Sequence, residues 1–113
     1  MNYKIKVLPD FARTLKRLGK KYHSIKQDYA KFLEDIYANP QIGVDLGGGL
    51  RKVRMAIGSK GRGKSHGARV ITFTVVVAIE ESEINLLTIY DKAERESISQ
   101  KEIEALLKEV DLF

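Results

Sequence analysis

Apolar and polar residues alternate from the start of the chain. In residues 3–8 (YKIKVL), Tyr3, Ile5 and Val7 share one parity, and Lys4 and Lys6 the other. That is the period of a half-buried strand. Pro9 stops it, and Asp10 is placed to N-cap a helix over 11–20. Phe11, Leu15 and Leu18 form the apolar stripe of this helix, and Arg13, Lys16, Arg17 and Lys20 its basic face. Gly19 weakens its end. A second helix begins at Ser24, where Gln27 completes a capping-box pattern. Ile25, Tyr29, Phe32, Leu33 and Ile36 recur at helical spacing until Asn39-Pro40 ends the run. The short turn between the two helices implies a hairpin.

Residues 41–49 read as a loop closing on Gly47-Gly48-Gly49. Alternation returns in 50–57 (LRKVRMAI), with Val53, Met55 and Ile57 on one face and Lys52, Arg54 and Ala56 on the other. Residues 58–67 (GSKGRGKSHG) are a Gly-rich basic loop, and the β-branched run 68–79 reads as a central strand. Glu80 to Glu83 read as an acidic turn, and 84–91 as the next strand. Ser99 and Glu102 form a second capping box, heading a helix with Ile103, Leu106, Leu107 and Val110 on its stripe. The order is β-α-α-β-β-β-α. Three consecutive strands on short connections imply antiparallel pairing, hence an α+β fold with helices packed on a small sheet.

The 113 residues fit one domain, expected to span 1–113. Without cysteine there is no disulfide framework, Cys-ligated zinc, iron–sulfur cluster or thiol nucleophile. No metal or organic cofactor is expected. No window approaches the ~20 apolar residues of a membrane span, and the N-terminus lacks a signal-peptide core. The expectation is a cytoplasmic protein with no membrane partner.

Charge changes the picture more than composition does. Of the net +5, residues 46–79 supply seven basic side chains (Arg51, Lys52, Arg54, Lys60, Arg62, Lys64, Arg69) and no acidic one. Residues 80–113 carry four basic and ten acidic side chains. A block without an internal carboxylate attracts polyanions; its bland alternative is a solvated basic loop.

Residues 58–65 (GSKGRGKS) also match the nucleotide-binding string G-x-x-x-x-G-K-S. That string cradles phosphate only where it opens a helix, with free N–H groups converging at its N-terminus. Here it runs into the β-branched Ala68–Phe73, so the context argues against an NTPase. Glycines and three cations still permit phosphate contact.

The runs LRKVRMAIGSKGRGKSHGARVITF and INLLTIYDKAERESISQKEIEALL resemble the HigB branch of the RelE/ParE toxin superfamily. The shared features are a Lys/Arg-rich strand, a GKGKS-type loop, an Ala-Arg-Val strand start and a Tyr-Asp-Lys strand end before the last helix. The likeness covers roughly residues 50–107. It implies a bacterial type II toxin with a compact RelE-like antiparallel sheet, its first strand beside its last, and a cognate antitoxin, HigA-like with a helix-turn-helix. RelE-like members cleave mRNA in the ribosomal A site; ParE-like members poison DNA gyrase. The leading expectation is a ribosome-dependent mRNA endonuclease. Its rivals are a gyrase inhibitor and an RNA-binding module without catalysis.

Metal-free cleavage by 2′-OH attack needs a proton acceptor, a proton donor and cations for the phosphorane. The resemblance transfers Lys52, Arg54 and Arg69 as site residues. Arg69 would clamp the scissile phosphate through its planar fork, and Lys52 or Arg54 would stabilise charge. His66 in the loop is a candidate acid or base, or a loop-surface residue. Tyr90 is a candidate stacking residue or proton donor, or core, and Lys92 a phosphate contact. The family often carries a further Arg and Tyr after this strand; here stand Ala93, Ser97 and Ile98. Asp91 and Glu94 are available to complement a cation. Arg51, Lys60, Arg62 and Lys64 are expected to bind RNA. Lys16, Arg17, Lys20 and Lys21 offer a second basic surface for the ribosome, with a solvated helix face as the alternative.

Overall fold

The computed structural model describes residues 2–110. The expected domain over 1–113 extends past them at both ends, and Met1 and 111–113 lie outside the described residues. Strand β1 (Asn2–Val7) leads into helix α1 (Pro9–Lys21) and helix α2 (Ile25–Ala38). Four strands follow: β2 (Val44–Gly47), β3 (Leu50–Met55), β4 (Ala68–Ala78) and β5 (Glu81–Asp91). Helix α3 (Gln100–Val110) closes the described chain. The five strands form one sheet in the order β1-β5-β4-β3-β2.

The α+β class holds, and the first strand lies beside the last. Three pairings are antiparallel, but β1 runs parallel to β5. A parallel neighbour requires a long crossover, and the helical hairpin begins it by carrying the chain off β1. β2 adds a strand within residues 41–49, expected to be loop. All four of its residues are exposed, so no alternation marks it. It is held by pairing with β3, and by Arg51 donating to the Ile42 and Gly43 carbonyls at 3.2 and 3.3 Å. The expected acidic turn also shrinks. Glu81 to Glu83 already pair within β5, and Glu80 alone takes a positive φ, of 62°.

The caps differ from expectation in two of three cases. Pro9 opens α1 with Leu8 as its N-cap, which puts Asp10 inside the first turn. Proline suits that position because its missing N–H would have no helical acceptor. Ser24 does precede α2, but its hydroxyl meets Asp28 and Ser59 rather than capping the helix. The Ser99–Glu102 box forms: the Glu102 N–H donates to Ser99 Oγ, and the Ser99 N–H to Glu102 Oε1.

Two apolar layers flank the sheet. On one face, Phe11 and Leu18 of α1 and Phe32 and Ile36 of α2 pack on Val53, Met55, Val70, Ile84, Leu86 and Ile89. On the other, Ile103 of α3 packs with Leu8, Leu50, Ile71 and Leu87. A bulge makes this possible. Thr72 faces Leu86 while Ile71 faces Thr88, so Leu87 is the extra residue. Parity inverts there, which lets Leu86 and Ile89 serve one layer and Leu87 the other.

The loop meets β4 at Gly67, which is buried. A Cβ there would fall 2.2 Å from the Met55 carbonyl and 3.0 Å from the Ile57 nitrogen, both backbone atoms. Gly67→Ala is therefore expected to lower Tm by at least about 5 °C in a calorimetric melt.

Candidate functional site

The sheet register assembles the site. Arg54 on β3 pairs with Arg69 on β4, and Arg69 pairs with Tyr90 on β5. Directly paired residues project from the same face, so the three form one row across three strands. Lys52 lies two residues before Arg54 and pairs with Ile71, which places it on that face as well. This is the α3 side of the sheet. α3 sits over Ile71 and Leu87. Arg54 remains exposed and Lys52 half-buried, and neither has a hydrogen-bond or ion-pair partner among the described residues.

Arg69 sits differently from its neighbour, being only 5% exposed. One terminal nitrogen donates to the Lys64 and Ala68 carbonyls at 3.1 and 3.2 Å, the other to the Ser65 carbonyl at 3.2 Å. Burial, with the adjacent charge of Arg54, holds its pKa below the ordinary arginine value. Much of the fork expected to grip phosphate is thus occupied by the loop. Tyr90 is equally enclosed, with the Arg95 guanidinium 5.6 Å from its ring centroid. Burial raises the phenol pKa despite Arg69 and Arg95, so Tyr90 keeps its proton at neutral pH.

The Gly-rich loop folds as two 3-10 turns, 58–60 and 64–66, and passes directly into β4. No α-helix follows, so its resemblance to a nucleotide-binding loop ends with the string. Lys60, expected to face RNA, turns inward. Its ammonium donates to Asp91 Oδ1 at 2.6 Å and to the His66 carbonyl at 2.9 Å. Asp91 is wholly buried and also accepts from Tyr22 Oη at 2.6 Å and the Ala93 N–H at 2.9 Å. Lys64 reaches Asp35 on α2 at 3.4 Å.

An open groove is lined by Lys60, Arg62, Ser65, His66, Lys92 and Ala93. Arg62, His66 and Lys92 are exposed there. His66 Nδ1 lies 3.2 Å from the Arg62 carbonyl and 3.1 Å from Ser65 Oγ.

The remaining basic candidates are dispersed. Arg51 projects from the side of β3 opposite Lys52 and Arg54 and ties down the approach to β2. Arg17 makes two parallel bonds to Glu94, at 2.9 and 2.8 Å, and Lys21 a third at 3.2 Å. Lys16 and Lys20 stay exposed on α1. The pairing role open to Asp91 and Glu94 is the one both take. Tyr22 as a third partner of Asp91 had no signal in the sequence, because only the folded hairpin brings it there.

Burial pushes the Asp91 carboxyl up, but the bonds from Lys60, Tyr22 and the Ala93 N–H outweigh it and hold it below the ordinary aspartate value. A depressed carboxylate contributes stability above its unfolded pKa and loses it as pH falls through the folded one. Asp91→Asn should therefore be less stable than wild type at pH 7. In circular-dichroism melts the gap should narrow as pH drops below about 4.

No helix among the described residues is long and apolar enough to cross a membrane. The model of the RelE toxin family, the toxin of the RelE/RelB toxin-antitoxin system, matches residues 10–111. That span contains the Arg54–Arg69–Tyr90 row, the loop and the anchor beneath it, and the chain belongs to the RelE toxin family.

Proposed function

We propose that this toxin is a ribosome-dependent mRNA endonuclease of the HigB-like branch, acting in the cytoplasm and restrained by a HigA-like helix-turn-helix antitoxin. The observation that carries the reading is the row Arg54–Arg69–Tyr90 with Lys52 beside it. It sets cations next to a protonated phenol on the face that α3 covers only in part.

In the proposed reaction the ribose 2′ oxygen attacks the adjacent phosphorus. His66 Nε2 takes the 2′ proton. In this reading the Nδ1–H donates to the Arg62 carbonyl, which only accepts, and Nε2 is the base. Lys52 and Arg54 neutralise charge on the non-bridging oxygens, with Arg54 in the clamping role expected of Arg69. The bond to the 5′ oxygen breaks, and Tyr90 protonates that oxygen. The products are a 2′,3′-cyclic phosphate and a 5′-hydroxyl. Arg62 and Lys92 hold the strand along the groove, and Lys16 and Lys20 contact ribosomal RNA.

In a purified translation system, primer extension should locate cuts in a translated reporter mRNA, and the same RNA without ribosomes should stay intact. Absence of cuts together with loss of gyrase supercoiling would move the chain to the gyrase-poisoning class.

Tyr90→Phe should lower the cleavage rate about 10²–10⁴-fold. Because burial raises the Tyr90 pKa above the ordinary phenol value, the wild-type rate should show no tyrosine-dependent fall around neutral pH. A single-turnover pH profile checks both.

A further inference from the structure

Four consecutive loop carbonyls accept hydrogen bonds from outside their own turn. Arg69 takes those of Lys64 and Ser65, the Lys60 ammonium takes that of His66, and the Lys92 N–H takes that of Gly67 at 3.1 Å. Lys60 belongs to the same loop and reaches back under it. Its side chain is only 13% exposed. The charge is compensated by Asp91, which Tyr22 and the Ala93 N–H hold from the other side. Lys21 approaches the same carboxylate at 3.9 Å. A lysine serving as a phosphate contact would present its ammonium to solvent; this one spends it on a carboxylate and a carbonyl.

We infer that Lys60 is a positioning residue, which acts through the His66 carbonyl to fix the His66 ring and the Ser65–His66 wall of the groove. The inference rests on the nuclease reading for its effect on rate, and on geometry alone for its effect on the loop. The first lysine of the nucleotide-binding-like string is then the fastener of the loop, with Asp91 as its seat.

Lys60→Met alone would strand a buried carboxylate, so the informative variant is Lys60→Met/Asp91→Asn, which removes both charges together. Three proteins are compared: wild type, this double variant and Lys60→Arg. Two readouts are taken, single-turnover kinetics on ribosome-bound mRNA and amide hydrogen exchange over residues 64–67. The double variant should lose about 10–100-fold in kcat with KM changed less than about twofold. Its amides at 64–67 should exchange at least about tenfold faster while those of β4 and β5 do not. Lys60→Arg, which can still donate to both acceptors, should recover most of each.

A double variant with wild-type kcat, one whose loss lies in KM alone, unchanged exchange at 64–67, or failure of Lys60→Arg to recover either readout would each overturn the assignment. If wild type itself makes no cuts, the nuclease reading falls. The exchange comparison still decides whether Lys60 fastens the loop.

Discussion

Where β5 ends, a carboxylate without contact to water gathers three parts of the chain. Asp91 accepts from Lys60 of the Gly-rich loop, from Tyr22 in the turn between α1 and α2, and from the N–H of Ala93 on its own exit from the sheet. A buried charge is costly unless it is paired and its remaining lone pairs are filled, and here they are filled from three directions. The loop, the helical hairpin and the end of the sheet are thereby locked to one point. Glu94 repeats the arrangement nearer the surface, with Arg17 and Lys21 of α1. Through Asp91 and Glu94 the end of β5 thus fastens the Gly-rich loop and α1.

This fastening divides the cations into two kinds. Arg69 is buried and Lys60 mostly enclosed, and both bond to loop carbonyls, Lys60 to a carboxylate as well. Among the described residues Lys52, Arg54, Arg62 and Lys92 have no ion pair, and these are the cations proposed to meet RNA. Sequence gives all of them the same appearance. The division arises because a long cationic side chain next to an unfilled carbonyl folds inward when burial is available, and stays in water when it is not. An electrostatic field from a patch depends on its exposed members, so the charge available to a polyanion is smaller than the seven cations of residues 46–79 suggest.

Much of the fold was legible because each long element carries its own period. The alternation in β3 set Val53 and Met55 inward and kept Lys52 and Arg54 together, as the structure has them. The helical stripes and the Ser99–Glu102 box read equally well. Illegible features were those with no local signature. β2 buries nothing, the Leu87 bulge inverts parity within an unbroken apolar run, and nothing local marks β1 as parallel to β5, although the resemblance implies that the two are neighbours. The candidate site was legible as a set of residue types, but not as a row. The order Arg54–Arg69–Tyr90 depends on the register of two hairpins, and the inward turn of Lys60 depends on Asp91 lying 31 positions away.

Adjacent arginines on one row are proposed to do different work, Arg69 holding the loop and Arg54 meeting RNA. This division is tested most directly by comparing Arg69→Gln and Arg54→Gln in parallel, by Tm and by cuts in translated mRNA. Arg54→Gln should keep Tm within about 2 °C of wild type and lose most of the cuts. Arg69→Gln should lower Tm by at least about 5 °C and lose cuts along with it. An Arg69→Gln protein with wild-type Tm, or an Arg54→Gln protein that cuts at the wild-type rate, would contradict the division.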